Sequence, residues 1–549
     1  MQVPALTRRR TTLGVFALAV VGAVLRLVAL GARVFHWDEA RVGYWILQYQ
    51  ETGQWTYRAV VHGPFLFHVN DVLFELFGPS DFVARLVVAV VGAALPLTAL
   101  LFRERLRPVE TLAFAAFLAV NPVLLYYSRF MRNDVLVAAF ALAALGFFVR
   151  LVDTGRRRHL YAGTAALALA FTTKEIVLVY LGVWVGALAL LLDHRLLMAR
   201  YGEAGWRGIV RGYGRRLWGW TRKWWPALAL AAVEFAVVIV FFYAPRPDLY
   251  QAFAAPARFP SVVEAATLGA WDELWHMWIT GGHEHSYVEF FVADLQRLAT
   301  SSVVLLVFAV GGFLVDRYGG SRPNDLVAFG FYWAAAIFVI YPAITDISAP
   351  WGLVHVVVPL AFPAAAGARL VVEQGQAALA TQGRVSVGLV AIILLAVVAQ
   401  VGVTAYDTAY ANPQSAENPL VQFGQPGGQL HEELAAIDRI AAANEGTDVV
   451  FYGDHFYVAD ESNPTAGPHW TNRFPLTWYL ERSDATLAST RSAEDVDGSA
   501  PVVIALAKDY STLSDRLPGY RARTYEITAT DTATVFFVNR SAPNESAPV

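Results

Sequence analysis

Cysteine is absent from the 549 residues, which excludes disulfides, thiolate catalysis and Cys-based metal sites. Charge is scarce: 16% of residues are charged, against roughly 25% in soluble domains. Lysine occurs only at Lys174, Lys223 and Lys508, so arginine carries nearly all the positive charge. The net charge is −3, and no nucleic-acid partner is expected. A lysine-poor chain with an acidic tail suits a high-salt setting, where carboxylates hold water. High genomic GC content would favour arginine over lysine equally well.

What is plentiful is apolar length. The chain is 56% hydrophobic with mean hydropathy +0.43, and apolar runs of roughly 18 or more residues recur over the first ~400 positions. This is the pattern of an α-helical polytopic membrane protein, because spans in lipid must satisfy their own backbone groups. Length predicts about eleven spans, near 11–31, 82–102, 109–127, 134–152, 159–173, 176–192, 226–244, 301–316, 326–345, 352–371 and 385–405. The first follows Arg8-Arg9-Arg10 and has no convincing small-residue cleavage site, so it reads as a retained anchor.

Arginine then orients the chain. Arg103/Arg105/Arg107, Arg156–Arg158, a long basic loop over 195–223, Arg317/Arg322 and Arg369/Arg384 all fall on one side. By the positive-inside bias that side and the N-terminus are cytoplasmic, in a multi-pass protein of the cell membrane. The outer side receives the loop over 32–81, short exits at 126–134, 172–175 and 345–351, a loop over 245–300, and the tail. Residues 1–405 are expected to form the transmembrane domain and 406–549 a small extracytoplasmic α/β domain. In that tail 430–443 has helical periodicity, 448–453 and 501–506 read as buried strands, and 523–527 with 534–538 as a hairpin.

The outer segments hold the polar chemistry. Asp38-Glu39, in Phe35-His36-Trp37-Asp38-Glu39-Ala40, stand where the first span should end. Residues 40–50 could lie along the membrane as an amphipathic helix and hold both acids at the lipid–water boundary; a solvated loop start is the plain alternative. His62, in His62-Gly63-Pro64, follows in the same loop and could face a phosphate or simply solvent. Arg129, Arg132 and Asp134 stand at the second exit, where arginine suits phosphate and buried ionisable groups usually have a use; snorkelling is the alternative. Lys174-Glu175 split an apolar stretch, with Lys174 on the side where cations are disfavoured; it reads as an anion ligand, or as half of an ion pair closing a helical hairpin. His283-Glu284-His285 could bind a divalent metal, the one cofactor suggested, although two histidines are few for such a site. Trp351 could stack on a sugar or isoprenoid or sit in an aromatic belt, and His355 follows about one turn into the next span.

Taken in order and by membrane side, these motifs resemble the GT-C superfamily of membrane glycosyltransferases, in its protein O-mannosyltransferase and aminoarabinose-transferase branch. The match rests on Asp38-Glu39, Tyr44, His62-Gly-Pro64, Arg129…Arg132-x-Asp134 and Thr173-Lys174-Glu175. Gly282-His283-Glu284-His285 and Ala349-Pro350-Trp351-Gly-Leu-Val-His355 narrow it to the archaeal flippase-activity-associated family of the N-glycosylation pathway. It spans about 11–370 and leaves the tail unexplained. A run of acid-Lys-x-Pro-Trp, frequent in that family, here reads Asp346-Ile-Ser-Ala-Pro350-Trp351, without the lysine.

The resemblance implies an inverting glycosyltransferase that takes a polyprenyl (dolichyl) phosphate-linked sugar at the outer face and passes it to a glycan or protein acceptor. Asp38 would be the general base, since a carboxylate near a low-dielectric boundary can have its pKa raised. Asp134 would orient acceptor or base. Arg129, Arg132 and Lys174 would neutralise the leaving phosphate, and Glu39 and His283 would support a metal or hold the loop. The alternative is a flippase, or flippase-associated protein, that binds a lipid-linked sugar without transferring it. A conventional transporter fits less well, because no internal repeat is evident and the acids gather at one face.

Overall fold

The apolar runs fold as helices in a computed structural model that describes residues 7–542 apart from 200–204, 280–284, 320–322, 346, 382, 463–466 and 529–531. Among the described residues seven helices are long and apolar enough to cross a bilayer: Arg8–Leu27, Asp81–Phe102, Asn133–Thr154, Val210–Tyr243, Asp325–Ile344, Pro350–Ala380 and Arg384–Ala411. An eighth crossing arises if Tyr287–Ser301 and Val303–Tyr318, bent by 98°, form one span. Pro108–Val120 and Val177–Leu192 are shorter apolar helices. The protein is thus a multi-pass membrane protein. The run over 109–127 is interrupted at Asn121, which caps Pro122–Tyr127 by accepting from the Val123 and Leu124 N–H groups.

Two compact units emerge. The first comprises Met1–Val28, Gln54–Leu66 and Leu86–Ala411; the second comprises Ala29–Gly53, Phe67–Arg85 and Asn412–Val549. In the first, glycines let helix backbones approach closely, as small residues do in membranes. A Cβ on Gly312 would lie 2.0 Å from the Pro363 carbonyl oxygen, and one on Gly367 would lie 2.2 Å from that of Phe308.

The second unit is built on a five-stranded sheet, with β1 Val449–Tyr452, β2 Leu487–Thr490, β3 Val502–Leu506, β4 Tyr520–Glu526 and β5 Ala533–Asn539. The order is β2-β1-β3-β5-β4. β1 runs parallel to β2 and β3, whereas β3–β5 and β5–β4 are antiparallel. The helix Leu430–Ala441, β1, β3 and the terminal hairpin match the sequence reading. β2 was not foreseen: Leu-Ala-Ser-Thr is short, half-buried throughout and lacks an apolar run.

The same unit takes in the first polar loop. The helix Trp37–Thr52 packs on the tail helix Leu476–Arg482, with Phe35 stacked on Trp478 at 4.9 Å. Gly43 lies so close to Trp478 that a Cβ there would sit 2.6 Å from its ring. Trp478 Nε1 and Tyr479 Oη donate to Asp81 at 2.9 and 2.7 Å. Protein therefore covers much of the face expected to lie on the membrane, including the buried residues Ala40, Val42, Gly43, Tyr44 and Ile46.

Candidate functional site

The two adjacent acids of the first loop have opposite environments. His36 caps Trp37–Thr52: its Nδ1 accepts from the Asp38 N–H at 3.0 Å, while Glu39 Oε2 accepts from the His36 N–H at 2.9 Å. This reciprocal cap fixes Glu39 at the third helical position and turns it inward. There Arg85 grips the carboxylate with two bonds of 2.8 and 2.9 Å, and Arg33 reaches it at 3.0 Å. Glu39 is 0% exposed. Burial alone would raise its pKa, but the charges of Arg33 and Arg85 and these hydrogen bonds bring it down to about 2. Glu39 is a fixed anion. The Asp38 side chain, one residue earlier, keeps 35% of its surface exposed, with Oδ2 at 3.7 Å from His36 Nδ1.

In the other unit, Asp134 opens the helix Asn133–Thr154 and is buried. Lys174 Nζ lies 2.7 Å from its Oδ1, Arg132 Nε 3.2 Å from its Oδ2, and His355 Nε2 3.2 Å from Oδ1. The Arg132 guanidinium lies 3.6 Å over the Trp351 ring and His355 Nδ1 is 2.7 Å from Tyr180 Oη. A lysine and an arginine thus face one carboxylate, in a setting where unpaired charge is costly.

The neighbouring Glu175 carboxylate turns elsewhere, to His62 Nδ1 at 3.0 Å and Tyr57 Oη at 3.1 Å. Burial raises its pKa, yet the net direction is downward, through the His62 ring, their hydrogen bond and the Lys174 charge. The loop carrying His62 docks on the Thr172-Thr173 exit: the Gly63 N–H donates to Thr173 O at 2.9 Å and the Phe65 N–H to Thr172 O at 2.8 Å. A Cβ on Gly63 would lie 2.3 Å from the Thr172 oxygen. Gly63→Ala is expected to prise the loop off that exit, costing about 1–3 kcal/mol, read as a lowered unfolding temperature of the full-length protein. An unchanged unfolding temperature would contradict the docking.

Other sequence candidates meet backbone. Arg129 donates to the carbonyls of Leu25, Arg26 and Val28 at 3.3, 3.1 and 2.6 Å, closing the C-terminus of the first helix, and lies over Tyr410. His285 Nε2 is 2.8 Å from the carbonyl of Pro342, in the last turn of Asp325–Ile344. His283 lies outside the described residues. Among the described residues no group of three His, Asp or Glu side chains could hold a metal.

The sequence candidates therefore fall into two groups, Asp38-Glu39 in one unit and Arg132, Asp134, Lys174, His355 and Trp351 in the other, with His62-Glu175 beside Lys174 in the chain. Sequence reasoning missed Arg33, Arg85, Tyr57 and Tyr180. Only Arg85 left a signal, a lone charge about one turn inside a predicted span.

Two family models match parts of the chain: dolichyl-phosphate-mannose-protein mannosyltransferase over residues 61–203 and the Agl23 flippase-associated protein C-terminal domain over residues 430–539. No curated protein sequence matches it. Among solved structures it is similar to ArnT from Cupriavidus metallidurans in the apo state, with TM-score 0.58 and 17% identity over 97% of this chain and 99% of that one. The same protein bound to undecaprenyl phosphate gives TM-score 0.55, 17% identity and the same coverage. The Archaeoglobus fulgidus oligosaccharyltransferase tethered with an acceptor peptide gives TM-score 0.52 and 13% identity over 93% and 71% of the two chains.

Proposed function

We propose that the chain is a GT-C membrane protein related to the Agl23 family, a reading its two family-model matches support, and that it is an inverting glycosyltransferase using a polyprenyl-phosphate-linked sugar. The observation that carries the reading is the Lys174–Asp134–Arg132 cluster, in which two cations share one buried carboxylate. Such a cluster gathers two cationic side chains at one place, and the planar Arg132 suits phosphate oxygens. The structural neighbour bound to undecaprenyl phosphate supports a lipid phosphate as the anion. Asp134 positions the cations. Asp38 is assigned the general base, because of the adjacent acids it is the more accessible.

In the reaction the acceptor oxygen bonds to the anomeric carbon from the face opposite the phosphate. The bond from that carbon to the phosphate oxygen breaks, and the acceptor proton passes to Asp38. Lys174 and Arg132 stabilise the charge growing on the phosphate. The N-terminus is assigned to the cytoplasm, and residues 406–549 to a domain on the outer side, where a glycan or protein acceptor would arrive. A second reading has its own support in the match of residues 430–539 to a flippase-associated domain: the protein would bind or translocate the lipid-linked sugar without transferring it.

Purified full-length protein, given a polyprenyl-phosphate sugar and acceptor peptide or glycan, is expected to release polyprenyl phosphate as the sugar moves. Head-group translocation without transfer would favour the second reading. Lys174→Gln is expected to raise the KM for donor by about ten-fold or more, the loss of one charge-assisted phosphate contact, with Lys174→Arg restoring most of it. An unchanged KM in the glutamine variant would remove Lys174 from the donor site.

A further inference from the structure

The helix Gly205–Tyr243 has 39 residues, about 58 Å at 1.5 Å per residue, nearly twice a hydrocarbon core of about 30 Å. Its apolar end accounts for one bilayer: residues 224–243 cover about 30 Å. The preceding turns must then leave the hydrocarbon at the membrane surface, and there the composition changes. Arg211, Arg215, Arg216, Arg222 and Lys223 are all exposed, and no acid occurs between Gly205 and Glu234. Among the described residues none of these five cations has an acidic partner.

At about 100° per residue, Arg211, Arg215 and Arg222 fall within roughly 40° of one another, and Lys223 and Arg216 widen the stripe to about 140°. Val210, Tyr213, Leu217, Trp220 and Trp224 fall on the other side, with Trp220 and Trp224 stacked at 5.5 Å. Trp218 and Trp225, 72% and 65% exposed, flank the basic stripe. A basic face backed by an aromatic one is the composition of a helix that lies among head groups. Its continuity with the span sets Arg222 and Lys223, where the apolar stretch begins, at the depth where lipid phosphates are, with the other cations on the turns that follow outward.

We infer that this segment is a docking surface for anionic phospholipid head groups, separate from the donor cluster. The cations meet the phosphates and the tryptophans seat in the interface. The Arg/Lys bias assigns this surface to the cytoplasmic face.

Full-length protein in neutral detergent is titrated with phosphatidylglycerol or with phosphatidylcholine, and bound lipid is read by native mass spectrometry. Each cation at an anionic surface strengthens binding by about five-fold, so phosphatidylglycerol is expected to bind at least about ten-fold tighter, less so as salt rises. The preference should disappear when Arg215→Gln, Arg216→Gln, Arg222→Gln and Lys223→Gln are combined, and survive when the three arginines become lysine. Equal binding of the two lipids would overturn the inference. So would a preference that persists in the glutamine variant, or an acidic polypeptide or oligonucleotide that outcompetes phosphatidylglycerol. Should the glutamine variant fail to fold, the wild-type salt titration decides, and a salt-insensitive preference would overturn the inference.

Discussion

Asp38→Asn is expected to lower the rate of sugar transfer by about 10²–10⁴, the range general-base catalysis supplies, while leaving the fold and the affinity for donor intact. The substitution is nearly isosteric and keeps a side-chain oxygen in the first turn of Trp37–Thr52, where acceptors are favoured. The Asp38 side chain is also partly exposed, so the substituted amide is not itself forced into a buried site. The measurement is single-turnover transfer from a polyprenyl-phosphate sugar, with donor binding determined separately on the same preparation. Transfer at the wild-type rate would remove Asp38 as the base. Loss of donor binding together with transfer would assign it to the donor site instead. Asp38→Glu separates the chemistry from the position: it restores a proton acceptor but moves it by one methylene, so partial recovery is expected.

The membrane fold was legible because lipid imposes a single rule, that long apolar runs become helices. The tail sheet was legible where strands are buried on both faces, as in Val502–Leu506, and illegible at Leu487–Thr490, whose half-burial leaves no pattern. The site was only partly legible. Asp38 and Glu39 look alike in sequence, and what separates them is the phase of one helix. That phase is set by a histidine cap, a residue type that rarely announces a helix start. Arg129 and Arg132 stand three residues apart at one exit. One closes the first helix through three carbonyls and the other faces Asp134. Charge, spacing and expected membrane depth are the same for both, so only the identity of the neighbouring helix end decides.

Glu39→Gln is expected to have the opposite signature from Asp38→Asn, a loss of folding with no separate chemical phenotype. Removing the charge leaves Arg85, fully buried, and Arg33, nearly so, without their shared anion. Breaking a buried pair from one side costs about 3–5 kcal/mol, because the remaining charge stays desolvated. The amide can still accept one guanidinium bond and the His36 N–H, but it cannot return the second Coulombic contact. The pH dependence distinguishes this cause from a packing fault. Glu39 has a carboxyl pKa held down at about 2, against about 4.3 for an unfolded glutamate. Its stabilisation is therefore fully present above about 4.3 and is lost as pH falls toward about 2. Unfolding midpoints in denaturant should thus differ between wild type and Glu39→Gln by a constant amount from about pH 5 upward, and converge as the medium is acidified through that window. A gap that stays constant down to about pH 2 would mean that lost packing, and not the buried charge, is what the substitution removes.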